Sequence, residues 1–180
     1  MTGAFAGGHP MQESELRIKL DEHHRDAFGW ALACCEWDRT MAEDVLQSSY
    51  LKVLDGRAVF AGRSSFKTWL FAVIRRTTAE HRRRQMLHRF LPLTLVTGRK
   101  GSSVADAESE LLRSERSAQL IAALKTLPPR QRQLLHLVFY QDLTIRGAAV
   151  VLGISIGTAR THYERGKERL RDLLAEEYAK

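Results

Sequence analysis

The sequence predicts an all-α protein of two small helical bundles joined by a flexible linker, the C-terminal bundle being a helix-turn-helix. Three observations predict it. Apolar residues recur at helical spacing from Glu13 to about Gln85, and again from Leu111 onward. No segment alternates apolar and polar residues in the manner of a strand. Between the two periodic stretches, from Leu91 to about Ala107, the pattern dissolves into Pro92, Thr97, Gly98, Gly101, Ser102 and Ser103.

Length and composition fit this class. The chain has 180 residues, 44% of them hydrophobic, enough for one large or two small domains. A formal charge of +7 and a pI near 9.8 favour a polyanionic partner, although a generically basic surface would look the same. The two cysteines, Cys34 and Cys35, are adjacent on a helix and point about 100° apart, so no internal disulfide framework is expected. No stretch is apolar enough to span a bilayer, and the first residues lack a basic region followed by an apolar core. The expectation is a cytoplasmic protein with no direct membrane insertion.

Residues 1–12 form a tail, Gly- and Ala-rich over its first ten positions and expected to be disordered; Met11 could serve as a second start. The N-terminal bundle covers residues 13–89. Over Glu13 to Glu36, Leu16, Leu20, Ala27, Phe28, Ala31 and Cys35 make one helical stripe. Thr40 with Glu43 then reads as a capping box. The helix it opens turns Val45, Leu46, Tyr50, Val53 and Leu54 inward and leaves Glu43, Asp44, Gln47, Ser48 and Lys52 outside. Gly56 to Ser65 is a loop, and a third helix runs from Phe66 to about Gln85. The linker covers residues 90–117, though Leu91, Leu93, Leu95 and Val96 make it more apolar than a plain spacer.

The C-terminal bundle covers residues 118–180. Pro128 and Pro129 mark a helix N-terminus, and Leu134, Leu135 and Val138 follow on one face. A short helix to Leu152 is broken by Gly153, and Ser155 can cap the next. In that last helix Ala159, Tyr163, Gly166, Leu170 and Leu173 form the buried stripe. Arg160, Thr161, Glu164 and Arg165 project outward, as base-reading side chains of a recognition helix would, and Thr158 suits a phosphate contact. A solvated face of Glu–Lys pairs, such as Glu164 with Lys167, is the plain alternative. The Gly-Ile-Ser turn after a helix of matching length favours DNA.

The N-terminal bundle carries a second basic region, with Arg75, Arg76, Arg82, Arg83, Arg84 and Arg89 near Phe60, Phe66, Trp69 and Phe71. Arginines can hold phosphates while aromatic faces or pockets receive unstacked bases. Phe71 reads as core. Phe60 and Arg63, in the loop between helices, read as functional.

Three motifs then resemble those of the bacterial sigma-70 family of RNA polymerase sigma factors, in its extracytoplasmic-function (ECF) group. They are AEDVLQ at 42–47, FKTWL at 66–70 leading into the arginine-rich helix, and LPPRQR at 127–132 ahead of LGISIGTARTHYERGKERLR. Their order matches the family from about Glu15 to Leu174.

The resemblance implies a transcription initiation factor, not an enzyme, that directs core RNA polymerase to specific promoters. Glu43, Asp44, Gln47, Ser48 and Leu51 would meet the polymerase clamp. Arg57, Phe60, Arg63, Ser64, Ser65, Phe66 and Trp69 would capture an unstacked base of the −10 element, with Arg75, Arg76, Arg82 and Arg83 holding nearby backbone. Thr158, Arg160, Thr161, Glu164 and Arg165 would read the −35 element. Implied partners are core polymerase through its clamp and flap regions, promoter DNA and an anti-sigma factor; no cofactor is implied. The chain departs from the pattern at Arg76, where Asn is common, at Gly147-Ala148-Ala149, where Glu-Ile-Ala is common, and at His162, where a basic residue is common.

Other classes stay open on the residues alone. A helix-turn-helix regulator that does not join polymerase would explain the C-terminal bundle but leave the AEDVLQ face unused. A sigma mimic that binds an anti-sigma factor without reading promoters would not need the intact basic residues. His23, His24, Cys34, Cys35 and His81 lack the usual spacing of a metal site, and no phosphate-binding glycine loop, nucleophile elbow or HExxH motif occurs.

Overall fold

A computed structural model describes residues 11–90 and 122–178, and every regular element among them is helical. The helices are α1 (Glu13–Glu22), α2 (His24–Cys34), α3 (Arg39–Leu54), α4 (Phe66–Phe90), α5 (Pro129–Leu135), α6 (Ile145–Leu152) and α7 (Ile156–Tyr178). Residues 122–126 are also helical, and His136–Tyr140 continues α5 as a π-helical turn. The first ten residues of the expected 1–12 tail, most of the linker, and Leu111, Leu112, Leu120 and Ile121 lie outside the described residues; Met11, expected in the tail, is half-buried against the core.

The single helix expected up to Glu36 is two. His23 leaves helical geometry (φ −103°, ψ 6°) and stacks on Phe66 with ring centroids 5.8 Å apart. Helix α2 supplies Ala27, Trp30, Ala31, Ala33 and Cys34 to the core, and Cys35 is buried just after it. Its exit is unusual. Glu36 (φ 59°) and Trp37 (φ 65°) are both left-handed, a conformation that disfavours side chains bearing a Cβ. Partners fix them: Glu36 receives Arg82 at 3.0 Å and Arg132 at 3.7 Å, and Lys125 and Arg132 lie over the Trp37 ring.

Helix α3 corrects the sequence reading of its start. Asp38, not Thr40, is the N-cap: its Oδ1 accepts from the Met41 N–H at 2.9 Å. Thr40 already lies inside the helix, and Glu43 pairs with Arg39 at 2.9 Å instead of reaching back to a cap. Val45, Leu46 and Val53 are buried as expected, while Tyr50 and Leu54 are half-buried. Ser65 caps α4, its Oγ accepting from Thr68 N–H at 3.2 Å. The first half of α4 buries Phe66, Leu70, Phe71, Val73 and Ile74.

The C-terminal bundle follows the expected plan. Pro128 and Pro129 open α5, where a missing N–H costs nothing. Thr144 caps α6, accepting from Gly147 N–H at 3.1 Å. Gly153 ends α6 at φ 60°, and Ser155 caps α7 by accepting from Thr158 N–H at 3.1 Å. At Gly166, α7 passes so close to α5 that a Cβ would stand 3.1 Å from Gln131 Cβ.

The two bundles are packed against each other. One core runs from Trp30, Phe71 and Ile74 to Leu134, Leu137, Ala148, Val151 and Leu152. Helix α6 lies on α4, and the π turn lies on α2. His136 stacks obliquely on Trp30 at 5.7 Å, and Gln141 Nε2 donates to the Asp26 carbonyl at 3.3 Å. A smaller cluster of Leu124, Leu127 and Leu135 is covered by Trp37, Tyr163, Leu170 and Leu173.

Candidate nucleic-acid interface

Three surfaces carry the side chains singled out by the sequence. The first is on α3. Glu43, Asp44, Gln47 and Leu51 are exposed, Leu51 to 48%, and Ser48 is half-buried. A leucine left out on a helix with its own apolar face is available to a partner. Glu43 and Gln47 also edge a groove of about 500 Å³ floored by Phe28, Leu46 and Tyr50, with His24 and Arg39 at its ends. Phe28, expected on the buried stripe, is half-buried and forms this floor. Only the fold brings His24 to this groove, where Tyr50, 26 residues away, positions its ring.

The second surface surrounds the loop between α3 and α4. Gly56 (φ 69°) and Gly62 (φ 68°) bend this loop through left-handed conformations. Arg57, Phe60, Arg63, Ser64, Trp69 and Arg76 come together around a cavity of about 360 Å³. Phe60, Phe66 and Trp69 pack mutually, with centroids 5.2–5.5 Å apart. Phe60 and Trp69 line the cavity, whereas Phe66 is buried beneath them and Ser65 is spent on capping α4. Val73 completes the wall; its helical-stripe position gave no sign of this. The site offers a cationic rim and an aromatic floor, which suit a flat base and its phosphate.

The remaining arginines of α4 do not join this cavity. Arg83 is exposed. Arg82 is engaged internally, donating to the Cys34 carbonyl at 2.9 Å and to Glu36 at 3.0 Å. Arg75 faces Arg130 of the other bundle, and burial together with that like charge lowers its pKa.

The third surface is the outer face of α7. Thr158, Arg160, Thr161, Glu164 and Arg165 are all exposed, while Ala159 and Gly166 are buried on the opposite side. Thr161 Oγ1 donates to the Gly157 carbonyl, and Glu164 pairs with Lys167 at 3.0 Å. Arg160 and Arg165 make no ion pair among the described residues and are free for guanine or phosphate. His162 is half-buried and stands off this row.

Among the described residues no group of three His, Cys, Asp or Glu side chains could hold a metal, and no helix is long and apolar enough to cross a membrane. Both cysteines are buried free thiols, and burial raises the pKa of each, Cys35 to about 11. Such thiols are poor nucleophiles.

The helix-turn-helix, the arginine-aromatic cavity and the exposed α3 face define a protein built to meet nucleic acid and a protein partner together. Comparison with known proteins gives the family. Residues 20–87 match the model of sigma-70 region 2, and residues 117–170 match that of sigma-70 region 4. The ECF RNA polymerase sigma factor SigX of Bacillus subtilis is 30% identical over 175 residues, covering 92% of this chain and 88% of that one. SigM of Mycobacterium tuberculosis is 27% identical over 182 residues, covering 94% and 88%. In fold, the chain is similar to the sigma factor RpoE of Bartonella quintana, solved in complex with the anti-sigma factor NepR. The TM-score is 0.66 at 20% identity, over 90% of this chain and 98% of that one. CnrH, solved with the cytosolic domain of CnrY, gives a TM-score of 0.64 at 19% identity, over 92% and 90%. The chain belongs to the sigma-70 family, in its ECF group. It is therefore a factor for promoter-specific transcription initiation, in a family whose members are not enzymes.

Proposed function

We propose that this protein joins core RNA polymerase through α3 and brings two separate DNA-reading surfaces to a promoter. Residues 13–89 form the polymerase and −10 module, residues 90–117 the connector, and residues 118–180 the −35 module. Glu43, Asp44, Gln47, Ser48 and Leu51 contact the polymerase clamp. The cavity edged by Arg57, Phe60, Arg63, Ser64, Trp69 and Arg76 receives an unstacked base of the −10 element, and Phe66 and Ser65 hold its floor and shape. Arg75 and Arg83 attend the adjoining backbone, while Arg82, tied to Glu36 and the Cys34 carbonyl, stays with the fold. Thr158, Arg160, Thr161, Glu164 and Arg165 read the −35 element. The observation that carries this reading is the joint presence of that cavity and the exposed recognition row on α7.

Extraction of a base costs a few kcal/mol, which stacking on Phe60 or Trp69 and charge-assisted contacts from the arginines can offset. Arg76 places a cation where the family commonly has an amide, so the preferred −10 sequence differs from that of such relatives. The protein acts in the cytoplasm, and an anti-sigma factor is its regulator, a reading supported by the similar fold of the sigma factor RpoE, solved with the anti-sigma factor NepR.

The test is co-elution of the purified chain with bacterial core polymerase on gel filtration. A stoichiometric complex is expected, and replacement of Asp44 and Gln47 by Ala should reduce it while leaving DNA binding by the free protein unchanged. DNA binding without any polymerase complex, in material freed of co-purified inhibitor, would favour a helix-turn-helix regulator that does not join polymerase.

A further inference from the structure

Where the two bundles meet, a cleft of about 250 Å³ opens between the end of α2, the middle of α4 and the start of α5. Its walls carry Arg75 and Arg82 from one bundle and Arg130 and Gln133 from the other, with Cys34 and Thr78 beneath. Among the described residues no carboxylate lines it. Arg82 is held in place by Glu36 and the Cys34 carbonyl. Arg75 and Arg130 have no acidic partner among the described residues, and both are only partly exposed. Guanidinium groups facing each other across a small, half-dry space repel, and burial withholds the water that would screen them. The depressed pKa of Arg75, caused first by burial and next by Arg130, reflects the same conflict.

An anion resolves that conflict. Guanidinium groups converging from two helices match the several oxygens of a phosphate: Arg75 of α4 and Arg130 of α5 can each donate two parallel hydrogen bonds, and Arg82 of α4 adds the N–H groups that Glu36 and the Cys34 carbonyl leave unused. The Gln133 amide adds a neutral donor. A duplex is too wide for a cleft of this size, whereas one or two linked phosphate groups suit it.

We propose that this cleft is a binding site for a small phosphate-class polyanion, held between Arg75 and Arg82 of the N-terminal bundle and Arg130 of the C-terminal bundle. Because its walls come from both bundles, the ligand favours their packed arrangement. Competition with −10 DNA for Arg75 would follow too, and that consequence alone rests on the promoter reading above.

The test is isothermal titration of the full chain with sodium pyrophosphate at fixed, moderate ionic strength, followed by inorganic phosphate. Saturable one-site binding of pyrophosphate is expected. Arg130→Gln should weaken it at least about tenfold, the worth of one charge-assisted contact. Arg146→Gln, which removes an equal charge from the exposed face of α6, should change it less than about twofold. Gln133→Glu, which brings a carboxylate to the cleft, should abolish binding, and it serves as a second variant if Arg130→Gln unfolds. Circular dichroism of each variant checks the fold. Absence of saturable binding, or equal losses in Arg130→Gln and Arg146→Gln, would overturn the site. A non-promoter duplex that loses as much affinity as pyrophosphate on Arg130→Gln would assign the cleft to DNA backbone and overturn the small-ligand reading.

Discussion

The Trp30 indole stacks on Phe71 with ring centroids 6.0 Å apart, and its Nε1–H donates to the Phe71 carbonyl at 3.0 Å. Both side chains are fully buried, and His136 of the other bundle covers the same indole. This pair therefore joins α2, α4 and the π turn into one unit. Trp30→Ala should lose about 3–5 kcal/mol of unfolding free energy, the usual cost of emptying such a site. Urea unfolding followed by far-UV circular dichroism would measure it, and a loss under 1 kcal/mol would mean the two bundles do not share this core.

His136 makes stability depend on pH. Burial lowers its pKa from the ordinary 6.5 to about 4. Between these values the unfolded chain binds a proton that the folded chain refuses, so stability rises with pH across that window and falls on acidification. By pH 5 the contribution should be a loss of about 1–2 kcal/mol relative to pH 7. His136→Gln should flatten this part of the profile in melts recorded from pH 7 to pH 5. An unchanged slope would show that His136 is solvated in solution.

The start of α3 separates two capping schemes. Asp38→Ala removes the bond to Met41 N–H and should cost about 1 kcal/mol. Thr40→Ala lies within the helix and should cost less than about 0.5 kcal/mol. The reverse order in thermal melts would restore the capping box read from the sequence.

Two glycines should respond oppositely to alanine. At Gly147 an added Cβ would sit at ordinary contact distance, 3.5 Å from Thr144 Oγ1 and 3.7 Å from Thr68 Oγ1. Gly147→Ala should stabilise the protein by up to about 1 kcal/mol through helix propensity. At Gly166 the Cβ would meet Gln131 Cβ at 3.1 Å and Leu135 Cδ1 at 3.3 Å, in the close contact between α5 and α7. Overpacking of roughly 1–3 kcal/mol should outweigh the propensity gain there. Equilibrium unfolding of both variants reads the signs directly.

Arg165→Ala should weaken binding to a cognate −35 duplex by about 1–3 kcal/mol if it reads a base, with little change for unrelated duplexes. Polymerase binding should be unaltered, since α7 lies apart from the α3 face. Fluorescence anisotropy with matched and mismatched duplexes tests the first point, and gel filtration with core polymerase the second. An equal drop in polymerase binding would remove the assigned role of α7.

Much of this protein follows from local rules that the sequence states openly. Gly153 and Ser155 end one helix and start the next by their own backbone and side-chain chemistry, so the helix-turn-helix needs no tertiary information. The period of Ala159, Tyr163 and Gly166 fixes which side of α7 is buried, and Arg160 and Arg165 are exposed as a consequence. What required the folded structure is every feature made by residues distant in the chain. Apolar spacing could mark Phe66 and Trp69 as inward-facing, but only packing decides that Trp69 walls the cavity while Phe66 lies beneath it. The α4 arginines look equivalent in sequence, yet Arg76 joins the cavity, Arg82 is tied to Glu36, and Arg75 confronts Arg130 from 55 positions along the chain. Periodicity reports which side of a helix is apolar. It carries no information on which other helix covers that side, and here α6 of the opposite bundle covers part of the apolar side of α4.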